Sequence, residues 1–139
     1  MFYGETIQDT RQFFVDSWVK YKQKATLQPM EKQLVDVILL HPEYHDFIDS
    51  THLEVSYFPE LGQSNPFLHM GLHLTIREQV TTNRPNGISD IFKSLLKKYS
   101  DMHVVEHLIM EPLAECLWHA QRTHSMPDEE AYLNACREL

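Results

Sequence analysis

The sequence predicts an all-α protein, namely a single-domain bundle of about six helices with one long ordered loop. Apolar residues recur at helical spacing in six segments, and helix-start and turn residues separate these segments. A chain of 139 residues can bury roughly two thirds of its unfolded surface in one core. No repeat, linker or low-complexity tract divides the chain, so we expect one domain over residues 1–139.

The first three segments begin or end at recognisable capping residues. Asp9 to Lys24 carries aromatic residues at helical spacing and ends in a lysine-rich turn that complements the helix dipole. A second helix starts at Pro29 and ends where Pro42 interrupts the hydrogen-bond ladder. A short helical turn is expected over residues 43–48.

The helical pattern fails over residues 49–64, where Pro59 and Gly62 follow a few residues that favour extended structure. The apolar residues of this stretch favour an ordered Ω-type loop that packs against the core. A short strand over residues 52–58 is the alternative.

The central helix runs from Asn65 to Gln79. Asn65 is a good capping residue, and Pro66 fits the first helical position, where its missing N–H costs no hydrogen bond. Apolar residues cover most of the circumference of this helix, which predicts that it is buried nearly all round. His69 and His73 would then lie in the interior.

Turn residues over 83–87 separate the central helix from a fourth helix. We expect Ser89 to cap this helix, which carries Ile91, Leu95, Leu96 and Tyr99. The longest helix follows from Ser100 or Asp101, and Pro112 should bend it.

A last short helix starts between Ser125 and Asp128 and buries Tyr132, Leu133 and Cys136.

Composition excludes several classes of partner. The 20 acidic against 12 basic residues give a formal charge of −8, which disfavours nucleic acid and anionic membrane surfaces. The N-terminus lacks the basic region of a signal peptide, and no apolar run is long enough to span a membrane, so we expect a cytoplasmic protein. Cys116 and Cys136 lack the spacing of a zinc ribbon and are expected to be buried or free thiols.

Histidine provides the main chemical signal, because three pairs among nine histidines have i, i+4 spacing: His41/His45, His69/His73 and His103/His107. On a continuous helix this spacing places two imidazoles on one face, as in the metal sites of helical bundles. We therefore expect His69 and His73 to bind Zn or Fe together with His103, His107 and the carboxylate of Glu111.

Three observations oppose this interpretation. Neither Glu-x-x-His nor His-Glu-x-x-His occurs in the chain. Pro42 disfavours helical geometry at His41, which gives the His41/His45 pair second rank. His103 and His107 lie away from the main apolar stripe of their helix, a position typical of a solvent face. Histidines packed among aromatic residues or hydrated at the surface are the alternative.

Glu106 falls among the apolar positions of the longest helix and therefore needs a partner. Arg77 is the candidate for a buried ion pair, which would have a structural role. Alternatively, Arg77 and Glu78 mark a small-molecule pocket.

The blocks NPFLHMGLHLTIREQ, RPNGI and HVVEHLIMEPLAECLWHAQR resemble a family of uncharacterised bacterial proteins that is described as a domain of unknown function. The resemblance covers nearly the whole chain. It implies a small helical bacterial protein of about 140 residues, and it implies no activity or catalytic residue.

Two functions remain. The first is a helical protein that binds a divalent metal, with hydrolytic or redox chemistry possible at the metal. The second is a non-catalytic interaction or structural module without a cofactor, as a homodimer or with a protein partner. Exposed aromatic residues such as Phe2, Tyr3 or Trp18 would favour the second. Signatures of hydrolases, kinases and dinucleotide-binding proteins are absent from the sequence.

Overall fold

The computed structural model describes residues 7–49 and 65–139, and within these ranges the protein is all-helical, as predicted. The predicted Ω-type loop and its alternative strand fall at residues 50–64, outside the described residues, as do Phe2 and Tyr3. The elements are α1 (Ile7–Lys22), α2 (Pro29–Leu39), a 3-10 helix (Pro42–Phe47), α3 (Pro66–Thr82), α4 (Ile88–Tyr99), α5 (Met102–Thr123) and α6 (Glu129–Arg137).

Two of the predicted helix caps are present. The Asn65 side-chain oxygen accepts hydrogen bonds from the backbone N–H groups of Phe67 and Leu68, at 3.1 and 3.2 Å. Asp101 rather than Ser100 caps α5, since its carboxylate accepts from the backbone N–H groups of His103 and Val104. These bonds satisfy amides that have no partner within the helix.

The predicted start of α4 was wrong. Gly87 occupies the N-cap position, and Ser89 lies inside the helix with its hydroxyl donating to the Val80 carbonyl. The side-chain oxygen of Asn83 accepts instead from the N–H groups of Gly87 and Ser89, at 3.1 and 3.2 Å. The turn that precedes the helix therefore also caps it.

Helix α1 begins at Ile7, so Asp9 lies inside it rather than before it. The helix ends at Lys22, two residues earlier than predicted, and Lys24 adopts a left-handed conformation with φ of 59°.

The chain divides into two compact units, residues 1–74 and residues 75–139, and the boundary falls inside α3. The single domain expected from the sequence stays a prediction. In the first unit, α1 packs against α2, and buried side chains from α1, α2 and the first part of α3 form a core. Its buried members are Phe14, Val15, Trp18, Leu34, Val37, Ile38, Ile48, Phe67, Met70 and Leu74.

In the second unit, α4, α5 and α6 pack against one another. Their buried apolar residues include Ile88, Ile91, Phe92, Leu95, Val105, Ile109, Met110, Leu113, Tyr132, Leu133 and Cys136. Cys116 and Cys136 are free thiols, as expected. Helix α5 continues through Pro112, and the predicted bend there stays a prediction.

The middle of helix α3 is buried nearly all round, as predicted, because residues 70–76 are all buried, but its first turn exposes one apolar side chain. Phe67, Met70 and Leu74 are at most 4% exposed, whereas Leu68 is 51% exposed. Leu68 lies in the first turn, opposite the face that packs into the core of the first unit. Within the described ranges, no helix combines the length and apolarity needed to cross a membrane.

Candidate metal centre

Three histidines come together in the first unit. His69 and His73 lie one turn apart on α3, and His41 follows the last turn of α2. Their ring centroids are 4.7 to 5.0 Å apart. Each ring offers one nitrogen, and these nitrogens lie within 4.8 Å of one another. We call these three residues the histidine cluster.

A backbone carbonyl sets the tautomer of His41. The His41 Nδ1 atom lies 2.8 Å from the Val37 carbonyl oxygen, in a buried position. Because a carbonyl can only accept, His41 donates from Nδ1, and the Nε2 of the neutral ring keeps its lone pair. Histidines that bind metals are commonly oriented in this way, by a hydrogen bond from the second ring nitrogen.

The Nε2 atom of His41 faces His73. The two Nε2 atoms are 3.1 Å apart. Two nitrogens bound to one tetrahedral zinc at about 2.0–2.1 Å are separated by about 3.3–3.4 Å. The observed spacing therefore suits a shared hydrogen bond and, after a shift of a few tenths of an ångström, a shared ion.

The cluster is largely shielded from water. His73 is completely buried, His41 is 2% exposed, and His69 is half-buried. The ring of Tyr44 stacks on His41 at 5.3 Å and contacts the edge of His69 at 5.8 Å. Burial, and secondarily the charge of Glu43, raises the pKa of Tyr44, so its phenol stays protonated beside the histidines.

His45 does not belong to the cluster. Its Nε2 donates to the Ile38 carbonyl at 2.9 Å, and its ring packs against Trp18 at 4.7 Å. The break that Pro42 makes after α2 thus separates the two rings, as expected. It also places His41 beside α3. Because the His41/His45 pair had second rank, His41 was not among the predicted ligands. The i, i+4 spacing of His41 and His45 was the signal in the sequence that could have identified His41 as a ligand.

The other predicted ligands belong to the second unit. His103 and His107 lie one turn apart on α5, with ring centroids separated by 4.1 Å. His103 is half-buried, whereas His107 and Glu111 are exposed. That these residues bind one ion together with His69 and His73 stays a prediction.

Arg77 and Glu106 form an ion pair in the second unit. Arg77 Nε donates to Glu106 Oε2 at 3.0 Å, and Nη2 donates to Oε1 at 3.4 Å. The Glu106 side chain is 1% exposed and that of Arg77 is 24% exposed. Glu78, the alternative partner for a small-molecule pocket, is exposed.

The family assignment comes from residues 6–138, which match the family described as Domain of unknown function (DUF1841). The chain belongs to this family. Comparison with curated proteins gave no match, and comparison with solved structures gave none either.

For this member of the DUF1841 family, the chemistry of the site therefore follows from its own residues. Three imidazoles supply neutral nitrogen donors, and one of them is already oriented by a carbonyl. Imidazole nitrogen suits Zn, Cu, Fe and Ni, whereas Mg and Ca prefer oxygen ligands. The cluster thus fits a divalent first-row transition metal.

Proposed function

We propose that the protein binds a divalent transition-metal ion, Zn²⁺ or Fe²⁺, at His41, His69 and His73. The convergence of three ring nitrogens within 4.8 Å supports this proposal most directly. A three-histidine set leaves at least one coordination position for water, a substrate or another protein ligand.

The presence of a third ring at the site favours metal binding over a purely structural cluster. A histidine that only packs in a core needs partners for its polar atoms, and one carbonyl bond plus one histidine contact would satisfy His41. However, a third ring, His69, also lies beside His41 at a centroid distance of 4.9 Å. Three imidazoles whose nitrogens face one another gain most when a cation lies between them.

We also propose that α5 supplies at least one further ligand for this ion. The spacing of His103, His107 and Glu111 in the sequence supports this part of the proposal. We also propose a cytoplasmic location, where two free thiols would remain reduced.

The first test is elemental analysis of the full chain purified without an affinity tag, followed by titration of the metal-free protein with Zn²⁺. We expect about one equivalent at this site, and weaker binding by at least tenfold in His41→Gln and His73→Gln. His45→Gln is the matched control, because His45 is near His41 in sequence but, among the described residues, contacts the Ile38 carbonyl and the Trp18 ring instead of the cluster.

Two outcomes would overturn the proposal. One is metal content far below one equivalent together with no Zn²⁺ or Fe²⁺ binding on titration. The other is undiminished binding in both His41→Gln and His73→Gln. Either result would favour the interaction module, although Trp18, which would have supported that alternative if exposed, is only 7% exposed.

A further inference from the structure

Tyr44 lies against the histidine cluster in the first unit. Its ring stacks on the ring of His41, with centroids 5.3 Å apart and an angle of 8° between the two planes. The same ring meets the ring of His69 in an edge contact at 5.8 Å. Tyr44 is half-buried and also packs against the core of the first unit. One tyrosine ring therefore covers two of the three proposed ligands.

The exposure of the side chains indicates where an ion can reach the cluster. His73 is completely buried and His41 is 2% exposed, so neither ring is open to water. His69 and Tyr44, whose rings contact each other, are both half-buried. Within the described part of the first unit, the contact between these two rings is therefore the route by which an ion reaches the cluster.

The backbone around Tyr44 is anchored, so its side chain is the part that moves most easily. Tyr44 belongs to the 3-10 helix Pro42–Phe47, in which no residue is buried. The residues on either side of this helix, His41 and Ile48, are buried, and the Tyr44 N–H donates to the His41 carbonyl at 2.9 Å. Rotamer changes of partly exposed side chains are fast compared with local unfolding. Rotation of the Tyr44 ring would uncover the histidines without disturbing the core.

We infer that Tyr44 is a gating residue, whose ring controls how fast the ion, and any further ligand of the ion, enters and leaves the histidine cluster. The inference rests on the proposed function, because it requires an ion at His41, His69 and His73. The ring and not the hydroxyl has this role, so Phe can replace Tyr44. A gate that interacts equally with the loaded and the empty site changes the association and dissociation rates by the same factor and leaves the Kd unaltered.

The experiment measures two rates with the full chain: Zn²⁺ association with the metal-free protein, by stopped flow against a fluorescent indicator, and Zn²⁺ release to an excess of a chromogenic chelator. In Tyr44→Ala we expect both rates to rise by the same factor, about tenfold or more, with the Kd unchanged within about twofold. Tyr44→Phe retains the ring and should keep both rates of the wild type. Circular dichroism establishes that each variant is folded.

Tyr21→Ala is the matched control, because Tyr21 is a partly exposed tyrosine of the same unit whose ring stacks on Trp18 at 5.4 Å. Both of its rates should equal those of the wild type. A merely structural role of Tyr44 would give a different result in Tyr44→Ala: faster release and a higher Kd without faster association. That result would overturn the gate.

A second measurement uses the wild type and does not depend on the folding of Tyr44→Ala. Co²⁺ replaces Zn²⁺, because its visible absorption bands report the ligands around it. The three-histidine set leaves a position for an added ligand, and imidazole and benzimidazole offer the same nitrogen donor on rings of different width. Imidazole should bind about tenfold faster or more, because the wider ring requires a larger opening of the gate. Tyr44→Ala should remove most of this difference.

The results separate the gate from the proposed function. Unchanged Zn²⁺ rates in Tyr44→Ala, or equal binding rates of imidazole and benzimidazole in the wild type, would overturn the gate and leave the ion at the cluster. Weaker Zn²⁺ binding in Tyr44→Phe would make the phenol a ligand and would also overturn the gate. A wild type that binds no Zn²⁺, or binding that His41→Gln and His73→Gln do not diminish, would overturn the proposed function and the gate with it.

Discussion

At the scale of single residues, the carboxylate of Glu106 is a buried acidic group in the second unit that needs a partner. Its side chain is 1% exposed, and moving an ionised carboxylate out of water is costly unless a partner balances the charge. Arg77 supplies that partner through two hydrogen bonds. An intact buried pair adds little net stability, but the loss of one member leaves a charge without compensation.

Glu106→Gln should therefore lower the free energy of unfolding by roughly 3–5 kcal/mol, as measured by urea denaturation in a metal-free buffer. The control is Glu130→Gln, because Glu130 is 76% exposed and lies 3.9 Å from Arg137. We expect the control to change stability by less than about 1 kcal/mol. Equal and small effects of both substitutions would show that Glu106 is not a buried partner in solution.

Two leucines on one helix give a matched test of the core. Leu74 is 3% exposed and belongs to the core of the first unit, whereas Leu68 is 51% exposed. Leu74→Ala should destabilise by about 2–5 kcal/mol, because it removes buried methyl groups and leaves a cavity. Leu68→Ala should cost less than about 0.5 kcal/mol by the same measurement. If Leu68→Ala is the costlier change, the assigned faces of α3 are wrong.

The sequence was informative about residues that interact within one helix and less so about residues that meet from different elements. His69 and His73 could be paired from spacing alone, and Glu106 stood out because its neighbours on the helix are apolar. His41 could not be placed with them, because its position depends on how the chain turns after α2. Local sequence shows that Pro42 ends helical geometry there but not where the ring then points.

At the scale of elements, Glu31 stabilises the start of α2. Its Oε1 accepts from the backbone N–H of Gln28 at 2.8 Å, and its Oε2 accepts from Lys20 on α1 at 2.7 Å. The Lys20 side chain in the first place, and the Gln28 amide in the second, lower the pKa of Glu31 from 4.5. Glu31 thus caps α2 and links it to α1 through the ion pair with Lys20.

A lowered folded-state pKa makes stability depend on pH in a known direction. The contribution of Glu31 is fully present above pH 4.5 and is lost as the pH falls through the lower folded-state value. Glu31→Gln should therefore be less stable than the wild type at neutral pH, with a difference that shrinks as the pH falls below about 4.5. Thermal denaturation between pH 3 and pH 7 measures this difference.

Asp36→Asn, an exposed substitution on the same helix, is the control for this pH series. Its difference from the wild type should be small throughout. A deficit of Glu31→Gln that stays constant from pH 7 to pH 3 would contradict the role of the ionised carboxylate.

The first residues of most helices could be predicted from the sequence, because a capping side chain binds amides two or three residues later in the chain, as at Asn65 and Asp101. The start of α4 could not, because Asn83 reaches across the turn to amides up to six residues away. Ser89 fits the pattern of a capping residue equally well in sequence. Only the conformation of the turn decides between the two.

At the scale of the whole molecule, the two units share one element. The boundary between residues 74 and 75 divides α3, so this helix contributes buried side chains to both units. Isolated helices shorter than about 12–15 residues are marginal in water, and either half of α3 is shorter than that. If one unit unfolds, the half of α3 that belongs to the other unit loses the adjacent helical turns and becomes less stable. We therefore expect the chain to unfold as one cooperative domain, as the sequence suggests.

The two tryptophans allow this expectation to be tested, since Trp18 lies in the first unit and Trp118 in the second. Trp118→Phe leaves the buried Trp18 to report on the first unit. Trp18→Phe leaves Trp118, which contacts His119 and Arg122, to report on the second. In each variant, the urea midpoint from fluorescence should coincide with the midpoint from far-ultraviolet circular dichroism, which reports the helices of both units.

The comparison is made within each variant because Phe in place of the buried Trp18 changes stability itself. A fluorescence midpoint that differs from the circular dichroism midpoint in either variant, or a two-step dichroism curve, would show that the units unfold separately.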